Sequence, residues 1–487
     1  MNNMKIGVPK EVQEVAKSLV EAGFEAYLVG GCVRDMMLGR DPKDWDIATN
    51  ATPDEVQKIF PESVYENDFG TVGVKTESED PKLKVIEVTT YRIEGRYSDK
   101  RHPDEVRFAK TIEEDLSRRD FTVNAMAMNV KGELIDPYGG ENDARDQVIR
   151  TVGAPEARFS EDALRLMRAA RFSVELGFEM QLETRRAIEK LSGELEAIAK
   201  ERVRDELVKI VMTPDAARGI LLLEELALLQ YVLPELREGI GVGQNLHHIY
   251  TVFEHNVKAL DYSARQNYSL VVRMASLLHD VGKPRVKVGD GPHSTFYQHE
   301  YVGARVAAKA LDRLRFSKEF IEEVVHLVRS HMFYYNVGEV SAHGVRRFLA
   351  RVGPETVDDL LKVREADRIG SGVKKAVPYK LRHLLFMIEK VKNDPLSPKM
   401  LRVNGGDVMS LLNIQPGPRV GWILSALLEE VLEDPSRNTR EYLADRVEAL
   451  GKLDDKALKE ISDKARETKS EFAEEAEEEI KKKFRVQ

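Results

Sequence analysis

The hydrophobic pattern of the chain changes once, near Ser160, and this change constrains the fold more than any other feature. Up to that point, short runs rich in β-branched residues alternate with helical stretches. Beyond it the strand pattern nearly disappears, and apolar residues recur with the helical period. A length of 487 residues leaves room for roughly three domains. We therefore expect an α+β head with a small mixed sheet, followed by a long all-α remainder.

Charge and cysteine content narrow the class of protein. With 74 Lys and Arg against 83 Asp and Glu, the formal charge of −9 excludes a uniformly basic nucleic-acid coat, but it allows a basic stripe on an acidic body. Cys32 is the only cysteine, so neither an internal disulfide nor a CxxC metal knuckle can form. No apolar run is long enough for a membrane span. We expect a cytoplasmic protein with no membrane partner, and nothing in the sequence predicts its oligomeric state.

A Gly-Gly turn followed by two carboxylates forms the candidate site of the head. Gly30 and Gly31 follow the apolar run AYLV and precede a helix-like run, so backbone N–H groups can approach a phosphate there. Asp44 and Asp46 alternate in the strand-like run DWDIA and would share one face. Adjacent carboxylates repel unless a cation lies between them, and Mg²⁺ prefers oxygen ligands. Taken singly, the two elements can also be a plain turn and a solvated strand end.

Residues 30–48, GGCVRDMMLGRDPKDWDIA, resemble the active-site opening of the DNA polymerase β nucleotidyltransferase superfamily. More narrowly, they resemble class II tRNA nucleotidyltransferases and bacterial poly(A) polymerases, and the likeness extends over roughly residues 20–450. This resemblance implies a polymerase-β-like head in which Asp44 and Asp46 are the catalytic metal ligands. It also implies supporting roles for Arg34 and Asp35 at the triphosphate and the turn, and for Glu87 as a third acid.

The run RRDFTVNA, residues 118–125, resembles the second motif of the same family. Its guanidinium and amide groups can donate hydrogen bonds to phosphate and ribose, and Asp120 can accept one from a 2′-hydroxyl. Standing alone, the run would be a helix start with surface arginines. After the paired aspartates it supports a nucleoside triphosphate site made of Arg118, Arg119, Asp120 and Asn124.

The run SEDALR, residues 160–165, bears on which base the site accepts. As an ordinary helix start, Ser160 would cap the helix and Asp162 would pair with Arg165. As a recognition element, one carboxylate and one guanidinium on the same helix face would accept C and A, which share an amino donor beside a ring-nitrogen acceptor, and refuse U and G. The run resembles the family's EDxxR motif, which carries that role. We expect nucleotide binding by Glu161, Asp162, Arg165 and Arg168.

Basic residues recur every three positions after this motif. The run ERVRDELVKI, residues 201–210, resembles the next motif of the family and adds further cations. Such a stripe is a candidate for phosphate contacts with an RNA 3′ end, although each member can equally be a solvated side chain. The stripe consists of Arg165, Arg168, Arg171, Arg202, Arg204 and Lys209.

Histidines and aspartates at wide spacings form a candidate metal site in the helical region. Imidazole and carboxylate ligands together suit Mn²⁺, Ni²⁺ or Zn²⁺. The segments LLHDVGKP, FYQHEYVGA, LVRSHM and READR resemble successive motifs of the HD phosphohydrolase superfamily. Taken singly, each histidine can be a core or surface residue. The resemblance implies hydrolysis of a phosphate ester, such as a cyclic or terminal phosphate, and the ligands His255, His279, Asp280 and Asp367, with His299 and His331 for a second metal.

These patterns divide the chain into five parts. We expect a nucleotidyltransferase head over residues 1–150, a helical neck for RNA and base recognition over 151–235, a body formed by an HD phosphohydrolase domain over 236–375, a helical tail over 376–450, and a charged helical or disordered extension over 451–487.

The resemblance predicts an enzyme that adds the 3′-terminal CCA to tRNA from CTP and ATP without a nucleic-acid template, with Mg²⁺ in the head. The alternatives are a poly(A) polymerase, an enzyme adding only CC or only A, an alarmone synthetase–hydrolase, and a non-catalytic RNA-binding protein. The run RIEGRYSDKRHPD, residues 92–104, resembles the flexible loop of full CCA-adding enzymes, which argues against a CC-only enzyme. In alarmone enzymes the HD module comes first, whereas here it comes second.

Overall fold

The computed structural model describes residues 7–67, 70–94, 106–245, 249–392, 401–464 and 484–486. Most of the predicted flexible loop at 92–104, and much of the predicted extension at 451–487, lie outside these ranges. The chain forms two compact units. The first comprises Met1–Met332 and Asp359–Lys374, and the second comprises Phe333–Asp358 and Lys375–Gln487.

A seven-stranded mixed sheet builds the head, in the order β3-β4-β5-β2-β1-β8-β9. Strand β2 runs parallel to β5, and β1 is antiparallel to both β2 and β8. Two further pairs, β6 with β7 and β10 with β11, lie outside this sheet. The strands are β1 Ala26–Val29, β2 Asp46–Thr49, β3 Ser63–Asn67, β4 Thr71–Lys75, β5 Val85–Thr90, β6 Arg92–Glu94, β7 Val106–Phe108, β8 Ala127–Met128, β9 Leu134–Ile135, β10 Val148–Ile149 and β11 Glu179–Met180.

Helices make up most of the rest of the first unit. They are α1 Lys10–Glu21, α2 Gly31–Met37, α3 Pro53–Ile59, α4 Ile112–Ser117, α5 Gly140–Arg145, α6 Pro155–Glu161, α7 Leu164–Leu176, α8 Leu182–Leu191, α9 Lys200–Val211, α10 Ala216–Glu225, α11 Leu229–Val232, α12 Pro234–Arg237, α13 Val252–Arg265, α14 Leu270–Leu278, α15 Lys283–Val286, α16 His299–Arg313, α17 Lys318–Ser330 and α19 Val357–Gly370.

The regular secondary structure in the described residues of the second unit is helical. A core of aliphatic side chains, among them Val403, Ile423, Leu427 and Val447, joins its last three named helices. The helices are α18 Ala342–Val352, α20 Tyr379–Lys392, α21 Gly405–Leu412, α22 Pro418–Glu433 and α23 Arg440–Leu450. Among the helices of the described ranges, none combines the length and the apolar run that a membrane span requires.

The alternation of side chains along each strand separates two cores in the head. Leu28 and Ile47 pack on one face of the sheet against α1 and α3. Val29 and Ala48, their neighbours along the chain, belong to a second cluster on the other face. The fold class predicted from the pattern change near Ser160 is confirmed, because the described chain after β11 has no further strand and only a single bridge between Val288 and Thr295.

One local prediction is wrong. The chain does not form a continuous helix from Asp162 with Ser160 as its cap, because α6 ends at Glu161 and Asp162 is extended, with φ −137° and ψ 106°. Pro155 starts α6 earlier than expected, since proline fits the first turn of a helix. Asp162 then accepts a hydrogen bond from the Leu164 amide at 3.0 Å, which stabilises the start of α7.

Candidate active site and candidate metal centre

The Gly-Gly turn joins β1 to α2 and lies close to the side chains of Arg119 and Arg34. Gly30 has φ 74°, and a Cβ there would lie 2.7 Å from Nη1 of Arg119, so glycine lets this guanidinium approach the backbone. Arg34 in α2 is buried and donates to Asp35 at 2.9 Å and to Oδ1 of Asn124 at 2.5 Å. These bonds tie the turn to the RRDFTVNA segment, although 90 residues separate Arg34 from Asn124.

Asp44 and Asp46 lie side by side at the entry to β2. Asp46 is the first residue of the strand, Asp44 precedes it, and Trp45 between them is buried. Both aspartates line a cavity of about 1140 Å³. Burial raises the pKa of Asp46, and although Arg119 lowers it, Asp44 raises it further and the net shift is upward. Glu87 is the register partner of Asp46 on β5.

The arginines of the second motif depend on an acid that the sequence analysis missed. Asp115 in α4 is buried and accepts from Nη2 of Arg118 at 2.7 Å and from Nη2 of Arg119 at 3.3 Å. Burial raises the Asp115 pKa, but the two guanidinium groups outweigh it and hold the pKa below its usual range. Both arginines line the cavity. The i, i+3 and i+4 spacing was the available signal, but it is common on any helix.

The Asp120 carboxylate forms an ion pair with α7. Its Oδ2 lies 2.6 Å from Nη2 of Arg168 on α7, and its Oδ1 accepts from the Phe121 amide at 2.9 Å. Burial raises the Asp120 pKa, but Arg168 and then Arg165 outweigh it and lower the pKa to about 2. The carboxylate expected to contact ribose therefore also joins the head to α7.

We expect the Asp120–Arg168 pair to stabilise the protein above about pH 4, the ordinary range of an aspartate, and to lose this effect as the pH falls toward about 2. A native pKa of about 2 corresponds to about 2 kcal/mol at neutral pH. Urea unfolding of Asp120→Asn should show this deficit at pH 7 and a smaller one at pH 2.5. Asp312→Asn, at an exposed position on α16, is the control. A deficit that is equal at both pH values would contradict the prediction.

The expected base-recognition pair lines the same cavity but in a different local geometry from the one predicted. Asp162 and Arg165 do not share a helix face, because Asp162 lies in the break between α6 and α7. Arg202 on α9 pairs with Asp162 at 2.8 Å. Arg165 is buried, with Nη1 2.5 Å from Glu161 and Nη2 donating to the Arg118 carbonyl at 3.1 Å. Glu161 thus orients Arg165.

Each of the six cations of the predicted basic stripe lies against an acid, and their contact with RNA phosphates stays a prediction. Arg171 pairs with Glu175 and Glu206 at 2.7 and 2.6 Å, and Lys209 pairs with Glu206 at 3.1 Å. Arg204 pairs with Asp205 at 2.8 Å. Asp205, Glu206 and Glu175 lie on the same helices as the cations they pair with, and only the contact from Arg171 to Glu206 joins two helices.

A second site lies in the helical part of the first unit, where α13, α14, α16, α17 and α19 converge. Imidazole and carboxylate atoms form two groups whose members lie within 4.8 Å of one another. One group is His255, His279 and Asp367, and the other is Asp280, His299 and His331. All six ligand candidates from the sequence are therefore brought together.

Asp280 joins the two groups. Its Oδ2 lies 3.1 Å from Nε2 of His255 and 3.3 Å from Nε2 of His279. Its Oδ1 lies 3.2 Å from Nε2 of His299 and 3.6 Å from Nε2 of His331. A carboxylate with one oxygen toward each group can bridge two metal ions.

Backbone carbonyls orient the imidazoles toward this centre. Nδ1 of His279 lies 2.8 Å from the Ser276 carbonyl, and Nδ1 of His299 lies 2.8 Å from the Phe296 carbonyl. Nδ1 of His331 is placed in the same way. When Nδ1 carries the proton, Nε2 is left as a ligand atom, which is the tautomer that metal coordination requires. The donor set therefore fits divalent cations.

Lys283, one turn after Asp280, was not singled out from the sequence. Its Nζ lies 2.6 Å from Oδ2 of Asp280 and donates to Oε1 of Gln244 at 2.8 Å. Gly282 permits the close approach of α16, since a Cβ there would lie 2.3 Å from the His299 carbonyl oxygen. The GK step of LLHDVGKP was the available signal.

Three family models match the chain in succession. The model described as "Poly A polymerase head domain" matches residues 26–150. The model described as "Probable RNA and SrmB- binding site of polymerase A" matches residues 177–240, and "HD domain" matches residues 247–370. Together with the mixed sheet and the cavity that the two aspartates line, these matches define a nucleotidyltransferase that carries an HD domain.

Relatives over nearly the whole chain identify the family. The A-adding tRNA nucleotidyltransferase of Deinococcus radiodurans is 37% identical over 417 residues, 83% of this chain and 91% of that protein. The CCA-adding enzyme of Enterococcus faecalis is 32% identical over 90% of this chain and 95% of its own length. The crystal structure of the Bacillus stearothermophilus CCA-adding enzyme with CTP is 30% identical, has a TM-score of 0.61, and matches 90% of this chain and 96% of its own. The chain belongs to the tRNA nucleotidyltransferase family.

Proposed function

We propose that this tRNA nucleotidyltransferase adds C, C and A to the tRNA 3′ end from CTP and ATP. The observation that carries the proposal is a single cavity lined both by the paired aspartates and by Asp162 and Arg165. A site of this size accommodates a nucleoside triphosphate together with the end of an RNA strand. The name of the Enterococcus relative and the CTP-bound Bacillus structure support full CCA addition, whereas the Deinococcus relative is named for A addition alone.

Different residues of the cavity would bind the triphosphate and the metal ion. Arg118 and Arg119, which Asp115 orients, would bind the triphosphate. Asp44 and Asp46 offer oxygen atoms alone, which fits Mg²⁺. When bound there, Mg²⁺ supplies Lewis-acid stabilisation for attack of the tRNA 3′-hydroxyl on the α-phosphate and for departure of pyrophosphate.

Base selection rests on the neck. The Asp162 carboxylate, oriented by Arg202, would accept from the amino group of C or A, and Arg165 would donate to the ring nitrogen. Neither group can satisfy the reversed pattern of U or G, so a wrong base would leave polar groups unpaired.

Asp162→Ala should therefore weaken discrimination against UTP. A hydrogen bond to a charged group contributes about 1.5–3 kcal/mol, so the ratio of kcat/KM for CTP over UTP should fall by about 10- to 100-fold. Single-nucleotide incorporation on a tRNA lacking CCA measures the ratio. Asp205→Ala removes a carboxylate of α9 that pairs with Arg204 and is the matched control. An unchanged ratio would sink the assignment of Asp162 to base recognition.

Primer extension tests the function directly. Labelled tRNA transcripts ending before CCA, after C and after CC are each incubated with Mg²⁺ and CTP, ATP or both. Growth by three nucleotides that then stops supports CCA addition. Extension only from the CC end indicates an A-adding enzyme, a halt at CC indicates a CC-adding enzyme, and a long ATP ladder indicates a poly(A) polymerase. No extension under any condition would overturn the proposal.

A second activity is favoured by the arrangement around Asp280. We propose that residues 236–375 hydrolyse phosphate esters, such as cyclic or terminal phosphates, with Mn²⁺, Ni²⁺ or Zn²⁺ held by the two ligand groups. The order of the modules, with the HD domain second, disfavours an alarmone synthetase–hydrolase. The five-part division of the chain and a cytoplasmic location stay predictions.

A further inference from the structure

The loop between α2 and β2, which carries Asp44, is attached to the far end of α7. Nζ of Lys43 lies 2.5 Å from Oε1 of Glu175, and Nη2 of Arg40 donates to the Leu176 carbonyl at 3.1 Å. Both acceptors lie in the last turn of α7. Arg165 and Arg168 lie in the first turns of this same helix, so one rigid element touches both ends of the cavity.

Glu175 has a second partner that leads back into the neck. Its Oε2 accepts from Nη1 of Arg171 at 2.7 Å, and Nε of Arg171 donates to Oε2 of Glu206 on α9 at 2.6 Å. Arg171 and Glu206 are only 8% and 3% exposed. The Arg171 guanidinium also lies over the ring of Phe172, 3.9 Å from its centroid. Pairs buried in this way are weakly screened by solvent and hold one geometry.

Helix α9 completes the series of contacts from the Asp44 loop to Asp162. Arg202, which pairs with Asp162 at 2.8 Å, lies one turn before Glu206 on this helix. Any shift of α9 on base binding would therefore move Glu206 as well, and Arg171 contacts both Glu206 and Glu175.

We infer that Glu175 is a positioning residue that couples recognition of the incoming base at Asp162 to the placement of the Asp44 loop. Glu175 would act through Lys43, the residue before Asp44. This inference rests on the proposed function, because it assumes that the cavity holds a nucleotide selected by its base. A correct base would leave the loop in its productive position, whereas a wrong one would not.

Glu175→Gln tests the coupling, since it keeps the size of the side chain and removes its charge. For the nucleotide that the wild type adds, kcat should fall about tenfold while KM stays within about twofold, because misplacing a reacting group by less than 1 Å has effects of this order. The kcat/KM ratio of that nucleotide over UTP should also fall by about tenfold. Lys43→Met should reproduce both changes, and the double variant should add little to either.

Three comparisons separate coupling from a merely structural role. When Asp162→Ala is already present, adding Glu175→Gln should not change the kcat/KM ratio of the correct nucleotide over UTP any further. Glu225→Gln on α10 is the matched control, since Glu225 also accepts from two arginines, at 3.2 Å from Arg185 and 2.7 Å from Arg218. If Glu175→Gln slows the correct nucleotide and UTP in equal proportion, or changes neither, the inference is overturned. A wild type that extends no tRNA would instead overturn the proposed function.

Discussion

Asp46→Asn is expected to abolish nucleotide addition while the hydrolysis of phosphate esters continues. The change removes one of the two carboxylates that can hold a cation in the cavity, and metal stabilisation of a reacting phosphate contributes several kcal/mol. A loss of about 4 kcal/mol corresponds to about three orders of magnitude in kcat. Stability should not suffer, because burial already disfavours the charged form of Asp46. Primer extension and a chromogenic phosphodiester assay on the same preparation give both readouts.

His279→Ala is the reciprocal test. Nε2 of His279 lies 2.9 Å from Nε2 of His255 and within reach of both carboxylates of the centre, so its removal should abolish hydrolysis and leave addition intact. The exposed His293 and Asp312 provide the control variants His293→Ala and Asp312→Asn, which should change neither activity. If Asp46→Asn or His279→Ala eliminates both activities, the division into two independent centres is wrong.

The clustering of candidate groups that lie in short motifs could be predicted from the sequence. Asp44 and Asp46 are two residues apart at the entry to β2, and this short spacing brings both to one cavity. The ligands around Asp280 are spread over a hundred residues, yet each lies in a recognisable motif. Their metal-facing geometry follows from carbonyls three residues before three of the histidines, which is local information as well.

Pairings between elements could not be predicted in the same way. Asp120 and Arg168 are 48 residues apart, and Asp162 and Arg202 are 40 apart. Asp120 meets Arg168 because α7 packs beside the head, and Asp162 meets Arg202 because α9 packs against α7. Periodicity along the chain does not predict which charges then meet. The break at Asp162 was missed for a related reason, since Pro155 and the Asp162 side chain together override an otherwise continuous helical pattern.

The largest effect on stability is expected at Arg273 on α14, which belongs to neither candidate site. This side chain is 1% exposed, and its guanidinium donates to the carbonyls of Val211 at 2.9 Å and Thr213 at 3.0 Å, at the end of α9. It also donates to the carbonyls of Ala264 and Tyr268 at 3.4 and 2.9 Å, at the end of α13. The last carbonyls of a helix lack partners within it, so one cation satisfies the ends of two helices.

Arg273→Met should lower the free energy of unfolding by about 3–5 kcal/mol, because it leaves several buried carbonyls without a donor. Arg265→Met is the matched control at the end of α13, where Arg265 pairs with Asp261 and is 67% exposed, and its effect should stay below about 1 kcal/mol. Urea unfolding of the full chain measures both. Arg273→Lys keeps the charge but cannot reach both helix ends, so its free energy of unfolding should lie between those of the wild type and Arg273→Met. This variant also provides the test if Arg273→Met does not fold. Equal urea-unfolding midpoints for Arg273→Met and Arg265→Met would show that the carbonyls bound by Arg273 in the wild type find other hydrogen-bond donors. The bonds from Arg273 to the end of α9 would then contribute little to stability.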